Sequence, residues 1–338
     1  MRKTSSYLPG ILVCVVIALI SSYLGGQIPL VGGPVFALLL GIIIALFIKP
    51  NEKINPGLKF TSKKMLHFAI ILLGFGLNIG QILEVGKFSL IVMIFTLTAS
   101  FGFGYLFGKL FNMNWKLSSL ISAGTGICGG SAIAALSPVI EADNSDITYA
   151  ISATFIFDIV MIVLFPIMGK KLGLSDLAYG LWAGTAVNDT SSVVAAGYAY
   201  SNAAGEFATI VKLTRTLSII PVVIIFSYIN QKVKHKNLIA EDGSEYQKIS
   251  LKSIFPYFIV LFILAAIINS LGLIPTKLGL IIKDTSKFFM IMALGAIGLK
   301  TDLKEIKNSG LAPMLHGFII SAIVVIVSLC VQFTLGQI

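Results

Sequence analysis

Residues 123–132 read AGTGICGGSA and residues 183–192 read AGTAVNDTSS, two versions of one phrase, each set in the middle of a long apolar run. How they are read decides the fold. Glycine inside a helix costs about 1 kcal/mol relative to alanine, and GTGICGG places four glycines in seven positions. A continuous helix is therefore disfavoured there. Either the small residues let two helices pack closely, or the helix is interrupted, with unwound backbone buried in protein or lining a watered cavity. The interrupted form has a chemical use, because the second half-helix would present free N–H groups and a positive dipole end to an anion. In the later phrase Asn188, Asp189 and Thr190 stand where the glycines were. Residues of these types cap helices with their own side chains, which predicts a second break.

The setting of both phrases is a membrane. Of 338 residues, 56% are hydrophobic and 12% charged, with a mean hydropathy of +0.94, against about 25% charged in a soluble domain. Apolar runs fall at 8–25, 32–48, 65–83, 88–108, 117–140, 147–169, 177–200, 206–229, 253–273, 288–300 and 311–335. Each is near the roughly 20 residues that cross the hydrocarbon core, with 288–300 the shortest. The expected fold is an all-α integral membrane protein of about 11 transmembrane helices, one polytopic domain over 1–338, with two glycine- or polar-interrupted helices near the midplane. The basic, apolar N-terminus has no small-x-small cleavage site and reads as an uncleaved first helix.

The net charge of +10 is distributed between the runs rather than along a stripe interleaved with aromatics, which excludes nucleic acid as a partner. KPNEKINPGLKFTSKK (49–64), GKLFNMNWK (108–116), GKKLG (169–173), NQKVKHKN (230–237) and KTDLKEIKN (300–308) fall on one side if every run crosses. That side is the cytoplasm, so the N-terminus is expected inside and the C-terminus outside a cell membrane. Lys277, Lys283 and Lys287 dissent. Reading the two phrases as re-entrant hairpins would place Lys170 and Lys171 outside, so full spans are preferred.

FAIILLGFGLNIGQIL (68–83) resembles FFMIMALGAIGLKTDLKEI (288–306), and in the span count the two run in opposite directions. Inverted repeats of this kind occur in secondary transporters, whose substrate sites lie near the midplane.

Ionisable residues at depth point the same way. By helical rise Asp189 lies roughly 18 Å into its run, Asp158 about 16 Å, and Lys212 and Arg215 roughly 9 and 14 Å into theirs. Such charges mark pathways, relays or ion pairs. Lys212 and Arg215 share a face at i and i+3; Lys212 has the reach to snorkel, whereas Arg215 needs a partner, with Asp158 as the candidate. Pro221 predicts a kink. Cys14, Cys128 and Cys330 form neither a zinc spacing nor a disulfide framework, and Cys14 and Cys330 read as buried small hydrophobes. His67 and His316 read as interfacial, and His235 lies in a cytoplasmic loop. No metal site, cofactor motif or Ser/His/Asp set is present.

SAGTGICGGSAIAALSPVIEA, WAGTAVNDTSSVVAAGYAYS and ATIVKLTRTLSIIPVV resemble, in this order, the motifs of the YeiH-like sulfate exporter family. The resemblance covers most of the chain. It implies a multi-span membrane protein related to cation/proton antiporters and anion transporters with inverted repeats. Asn188 departs from the family's usual His at that position, so a His–acid proton relay is not expected here. The resemblance carries interest to Gly126–Ser131, Asn188–Thr190, Lys212 and Arg215.

The leading expectation is a secondary transporter exporting a small inorganic or organic anion such as sulfate, coupled to H+ or Na+. Its candidate substrate residues are Thr125, Gly126, Cys128, Gly129, Gly130, Ser131, Asn188, Asp189, Thr190, Lys212 and Arg215. Asp158 and Asp189 are the candidates for the coupling ion. The alternative is a monovalent cation/proton antiporter in which those two carboxylates hold the cation. An enzyme using Cys128 as nucleophile is disfavoured, for no base lies at a recognisable spacing. Association into a homo-oligomer is left open.

Overall fold

The computed structural model describes residues 6–27, 32–47, 51–238, 257–301 and 310–338. Among them all regular structure is helical. In chain order the helices are α1 (Leu8–Gln27), α2 (Gly32–Phe47), α3 (Asn55–Phe60), α4 (Leu66–Gly74), α5 (Ile79–Leu110), α6 (Trp115–Ala123), α7 (Gly130–Ile140) and α8 (Asn144–Lys171). They continue as α9 (Asp176–Ala186), α10 (Thr190–Tyr200), α11 (Asn202–Thr216), α12 (Ile219–Leu238), α13 (Tyr257–Ser270), α14 (Thr276–Lys300) and α15 (Leu311–Thr334). The side chains of residues 234–238, His235 among them, and residues 302–309 lie outside what is described.

By length and composition, five helical stretches among the described residues can cross a membrane: Leu8–Gln27, Ile82–Leu110, Ser145–Lys171, Asn202–Val233 and Leu311–Thr334. The expected count of single spanning helices is not reached, for specific reasons. Runs 117–140 and 177–200 are each two half-helices, α6 with α7 and α9 with α10. Run 65–83 is not one helix. α4 stops at Gly74, and after a turn at 75–78 α5 begins, with Asn78 Oδ1 accepting Gly80 N at 2.7 Å and Ser270 Oγ accepting Ile79 N at 2.8 Å. Residues 55–64 of the basic segment 49–64 are helical too, since α3 runs through a π-turn, Thr61–Met65, into α4. Conversely, run 288–300 is only the apolar end of α14, which starts twelve residues earlier and carries Lys277, Lys283, Asp284 and Lys287.

The helices pack as two bodies. One comprises α1 to α4 with α13 and α14; the other comprises α5 to α12 with α15. In the first, α2 and α14 lie backbone to backbone. A Cβ on Gly41 would stand 2.5 Å from Gly295 O, and one on Gly298 2.3 Å from Leu38 O, the close approach that small residues permit between membrane helices. The echoing stretches at 68–83 and 288–306 belong here, with α4 packed on α14, but one ends after nine helical residues and the other occupies the end of a 25-residue helix. The bodies meet through α10 against α2 and α14, and α13 against α5. That seam is aliphatic (Val194, Ala195, Ala199, Leu38, Ile291, Met290), crossed by an ion pair between Lys283 and Glu206.

The α11–α12 span is interrupted close to Pro221. Pro221 supplies no donor to the preceding turn, and the helix breaks at Leu217–Ser218, where Ser218 Oγ donates to Arg215 O at 2.6 Å.

Candidate functional site

Both phrases are breaks. In the first, Gly124–Cys128 form a single π-turn closed by Gly129 N donating to Gly124 O at 2.8 Å, after which Gly129 adopts φ 63°, ψ −132°. A side chain is rarely held at such a φ, and an added Cβ would lie 3.1 Å from both Cβ and Oδ1 of Asp189. Gly129 thus interrupts the helix and lets the second break approach. Gly129→Ala is expected to cost about 1–3 kcal/mol in detergent unfolding. Gly130→Ala, whose Cβ meets nothing within 4 Å, should stay within about 0.5 kcal/mol of the parent.

In the second break α9 ends at Ala186, Val187 is extended, and Asp189 caps α10 by accepting Ser191 N at 2.9 Å and the Ser191 hydroxyl. Asp158, from α8, accepts Asn188 N and Asp189 N, one on each carboxylate oxygen, both at 2.9 Å. Asn188 Nδ2 donates to Thr154 O at 3.4 Å and to Ser321 Oγ at 3.3 Å, fastening the break to α8 and α15.

The two cations from α11 join the breaks. Lys212 Nζ donates to Ile127 O at 2.8 Å and Val187 O at 2.9 Å. Arg215 donates from Nε to Gly126 O, from one terminal nitrogen to Thr125 O, and from the other to Thr185 O. Each cation takes carbonyls from both phrases. These carbonyls close α6 with its π-turn and α9, the negative ends of their dipoles and the groups a helix leaves without intrahelical donors. Lys212 and Arg215 are 0% and 1% exposed. Lys212 does not snorkel. Nor is Asp158 the hydrogen-bond partner of Arg215: the three donating nitrogens of Arg215 go to carbonyls, while the two Asp158 oxygens accept backbone N–H groups at the opposite end of the second break.

One end is left open. The N-terminus of α10 is covered by Asp158 and Asp189, whereas α7 begins after Gly129 with no side-chain cap. Ser131, at its first turn, is exposed; Gly130, Asp189 and Thr190 are half-buried, and Thr125, Gly126, Cys128, Gly129, Asn188 and Asp158 are buried. The candidate residues therefore form one cluster with a buried scaffold and an accessible edge of Gly130, Ser131, Asp189 and Thr190. The Cys128 thiol is free and inside the scaffold.

Several participants were not anticipated. Thr185 gives a carbonyl to Arg215 and its hydroxyl to a contact with Ser328; Thr154 and Ser321 hold Asn188. The available signal was the spacing of Ser321 and Ser328, two helical turns apart in an otherwise apolar run. His316 is fully buried rather than interfacial. His67 stacks on Phe258 at 4.3 Å. Cys14 is buried as expected, but Cys330 is exposed. Among the described residues no group of His, Cys, Asp and Glu is arranged to hold a metal.

Comparison with known proteins matches residues 9–317 to the family model described as Conserved hypothetical protein 698. A "UPF0324 membrane protein" of Clostridium tetani is 59% identical over 98% of both chains. Proteins of the same description from Streptococcus agalactiae and Fusobacterium nucleatum are 43% and 42% identical over 97% of this chain and 98% of theirs. Among solved structures, a sodium proton antiporter from Methanocaldococcus jannaschii at pH 8 aligns over 98% of this chain and 97% of that one, at 16% identity and a TM-score of 0.30, a likeness from which nothing further is drawn.

Proposed function

The chain belongs to the Conserved hypothetical protein 698 family, the YeiH-like membrane proteins, and on that footing we propose that it is a secondary transporter of a small anion, with sulfate-like oxyanions as the substrate class. The observation that carries this reading is the uncapped N-terminus of α7, set beside accessible Ser131 and Thr190. First-turn N–H groups and the positive end of the half-helix suit an oxyanion, and hydroxyls from both phrases orient its oxygens. Lys212 and Arg215 act from behind: their positive charge favours the anion while their donors stay on backbone carbonyls. The topology that goes with this reading is about 11 crossings, counting interrupted helices as single spans, with the N-terminus cytoplasmic and the C-terminus extracytoplasmic.

Asp189 sets the coupling. Its carboxylate borders the same edge, so an anion there meets a like charge until the carboxylate takes a proton. Proton and anion consequently assist each other's binding and, by linkage, travel together. Net export then runs only when the internal anion is in excess. The test is uptake of labelled sulfate into proteoliposomes with and without an inward pH gradient. The parent is expected to accumulate sulfate on the acid-driven gradient. Asp189→Asn should exchange sulfate but lose the pH dependence. Absence of flux for every small oxyanion tried rejects the proposal.

A cation/proton antiporter holding Na+ or K+ between Asp158 and Asp189 draws on a different observation, that the accessible charge at the edge is a carboxylate. It predicts proton movement on adding Na+ or K+ without any anion, which the anion reading does not. We read neither version as an enzyme: the Cys128 thiol lies among buried groups, and Cys128→Ser is expected to transport normally.

A further inference from the structure

The last helix carries polarity that the anion site does not use. α15 is apolar in composition, yet His316, Ser321, Ser328 and Gln332 are each 0% exposed. Ser321, Ser328 and Gln332 fall within about 40° of one another around the helix and span roughly 16 Å of its length. Their partners line up with the site. Gln332 Nε2 donates to Ser328 Oγ at 3.1 Å, Ser328 meets the Thr185 hydroxyl, and Thr185 Oγ1 donates to Leu181 O at 2.7 Å. Ser321 Oγ accepts Asn188 Nδ2 and lies 3.5 Å from Thr125 Oγ1.

Two buried atoms along this line, Gln332 Oε1 and Asn188 Oδ1, have no hydrogen-bond partner, and neither has His316 Nδ1, which lies about 140° around α15 from Ser321. All three are acceptors. For His316 this follows from its neighbour: Ser118 Oγ already donates to Gly104 O at 2.8 Å, so His316 Nε2, 3.3 Å away, carries the ring proton and Nδ1 is bare. Buried acceptors without donors cost about 1–3 kcal/mol each, and ordered water is their usual remedy. A row of acceptors takes donors and cations and turns anions away.

We propose that this face of α15 is a hydrated path, separate from the anion's, by which the coupling proton reaches the adjoining carboxylates of Asp158 and Asp189. It runs from Gln332 past the hydroxyls of Ser328 and Thr185 to Asn188 and the Asp158 carboxylate. The step is a proton transfer from water to a carboxylate oxygen and back, with no other bond made or broken. Acting on the Asp158 carboxylate are Asp189 from the second break and Lys212 and Arg215 from α11. This inference rests on the transporter reading only for the word coupling; the path itself is tested without any anion.

The experiment uses Ser328→Cys in a chain carrying Cys128→Ala and Cys330→Ala, keeping Cys14, which is buried in an apolar cluster, as a dry internal reference. Purified protein in liposomes is treated with aqueous Ag+ or with an anionic methanethiosulfonate, and modification is read by mass spectrometry. Ag+ is expected to bond Cys at 328, the thiol proton leaving to water, and to spare Cys14, while the anionic reagent reacts with neither. Adding Gln332→Leu should slow the Ag+ reaction by about tenfold. An inert thiol at 328, or equal reaction with the anionic reagent, overturns the path. In the otherwise native chain, Ser328→Ala and Gln332→Leu are expected to keep sulfate exchange within about twofold and to lose about tenfold or more of the pH-driven accumulation. Accumulation at the parental level overturns the proposal. Ag+ access without transport of any anion supports the path and rejects the transporter reading instead.

Discussion

Arg215→Ala is expected to destabilise the protein by about 3–5 kcal/mol and to abolish flux. Arg215 lies buried, and each of its three donating nitrogens holds a different carbonyl, Thr125 O and Gly126 O from the first phrase and Thr185 O from the second. An alanine leaves those buried acceptors without donors, and each orphan is worth about 1–3 kcal/mol. The damage is also positional. Without the fork the π-turn and the end of α9 are no longer fixed to each other, so Gly130 and Thr190 lose their register. Arg215→Lys separates charge from geometry: it keeps a cation but not a planar fork with donors spread over three carbonyls. It should recover part of the stability and little of the transport. Detergent unfolding read beside proteoliposome uptake distinguishes these outcomes, and an Arg215→Ala protein of parental stability would contradict the geometry.

The second large effect belongs to Asp158. Its two oxygens each accept one backbone N–H of the second break, and within the cluster it and Asp189 balance Lys212 and Arg215. Asp158→Asn retains one acceptor and sets an NH2 against the other N–H, costing an estimated 2–4 kcal/mol of stability. The remaining charges no longer cancel, and one proton acceptor at the end of the α15 path is gone. Uptake on a pH gradient should fall to the level of passive exchange. An Asp158→Asn protein that accumulates sulfate like the parent would remove Asp158 from the coupling.

Much of the site was legible before any coordinates. Four glycines in seven positions disfavour a continuous helix, and Asn-Asp-Thr is cap chemistry, so both breaks were suggested by composition. The coincidence in depth of Asp158, Asp189, Lys212 and Arg215 was visible as arithmetic on helical rise. What the cations bind was not. Backbone carbonyls are the same at every residue and leave no trace in residue type, so the eye pairs Arg215 with a carboxylate when the fold gives it carbonyls. Hydropathy misplaced two helices for a related reason. It does not register the turn at 75–78, which is apolar on both sides, and it discards the first half of α14 because lysines there look like loop. Ser321, Ser328 and Gln332 passed unnoticed because serine in an apolar helix packs as readily as it signals.

The central claim is that an oxyanion rests on the open end of α7, across from α10. Selenate, a sulfate analogue with an anomalous signal, tests it in crystals grown at a concentration that saturates uptake. The expected result is an anomalous peak between α7 and α10 with oxygens about 2.9 Å from the Gly130 and Ser131 amides, and with Lys212 and Arg215 still on their carbonyls. A peak seated directly on those two cations, their carbonyl bonds broken, or no peak between the half-helices at all, would contradict the account.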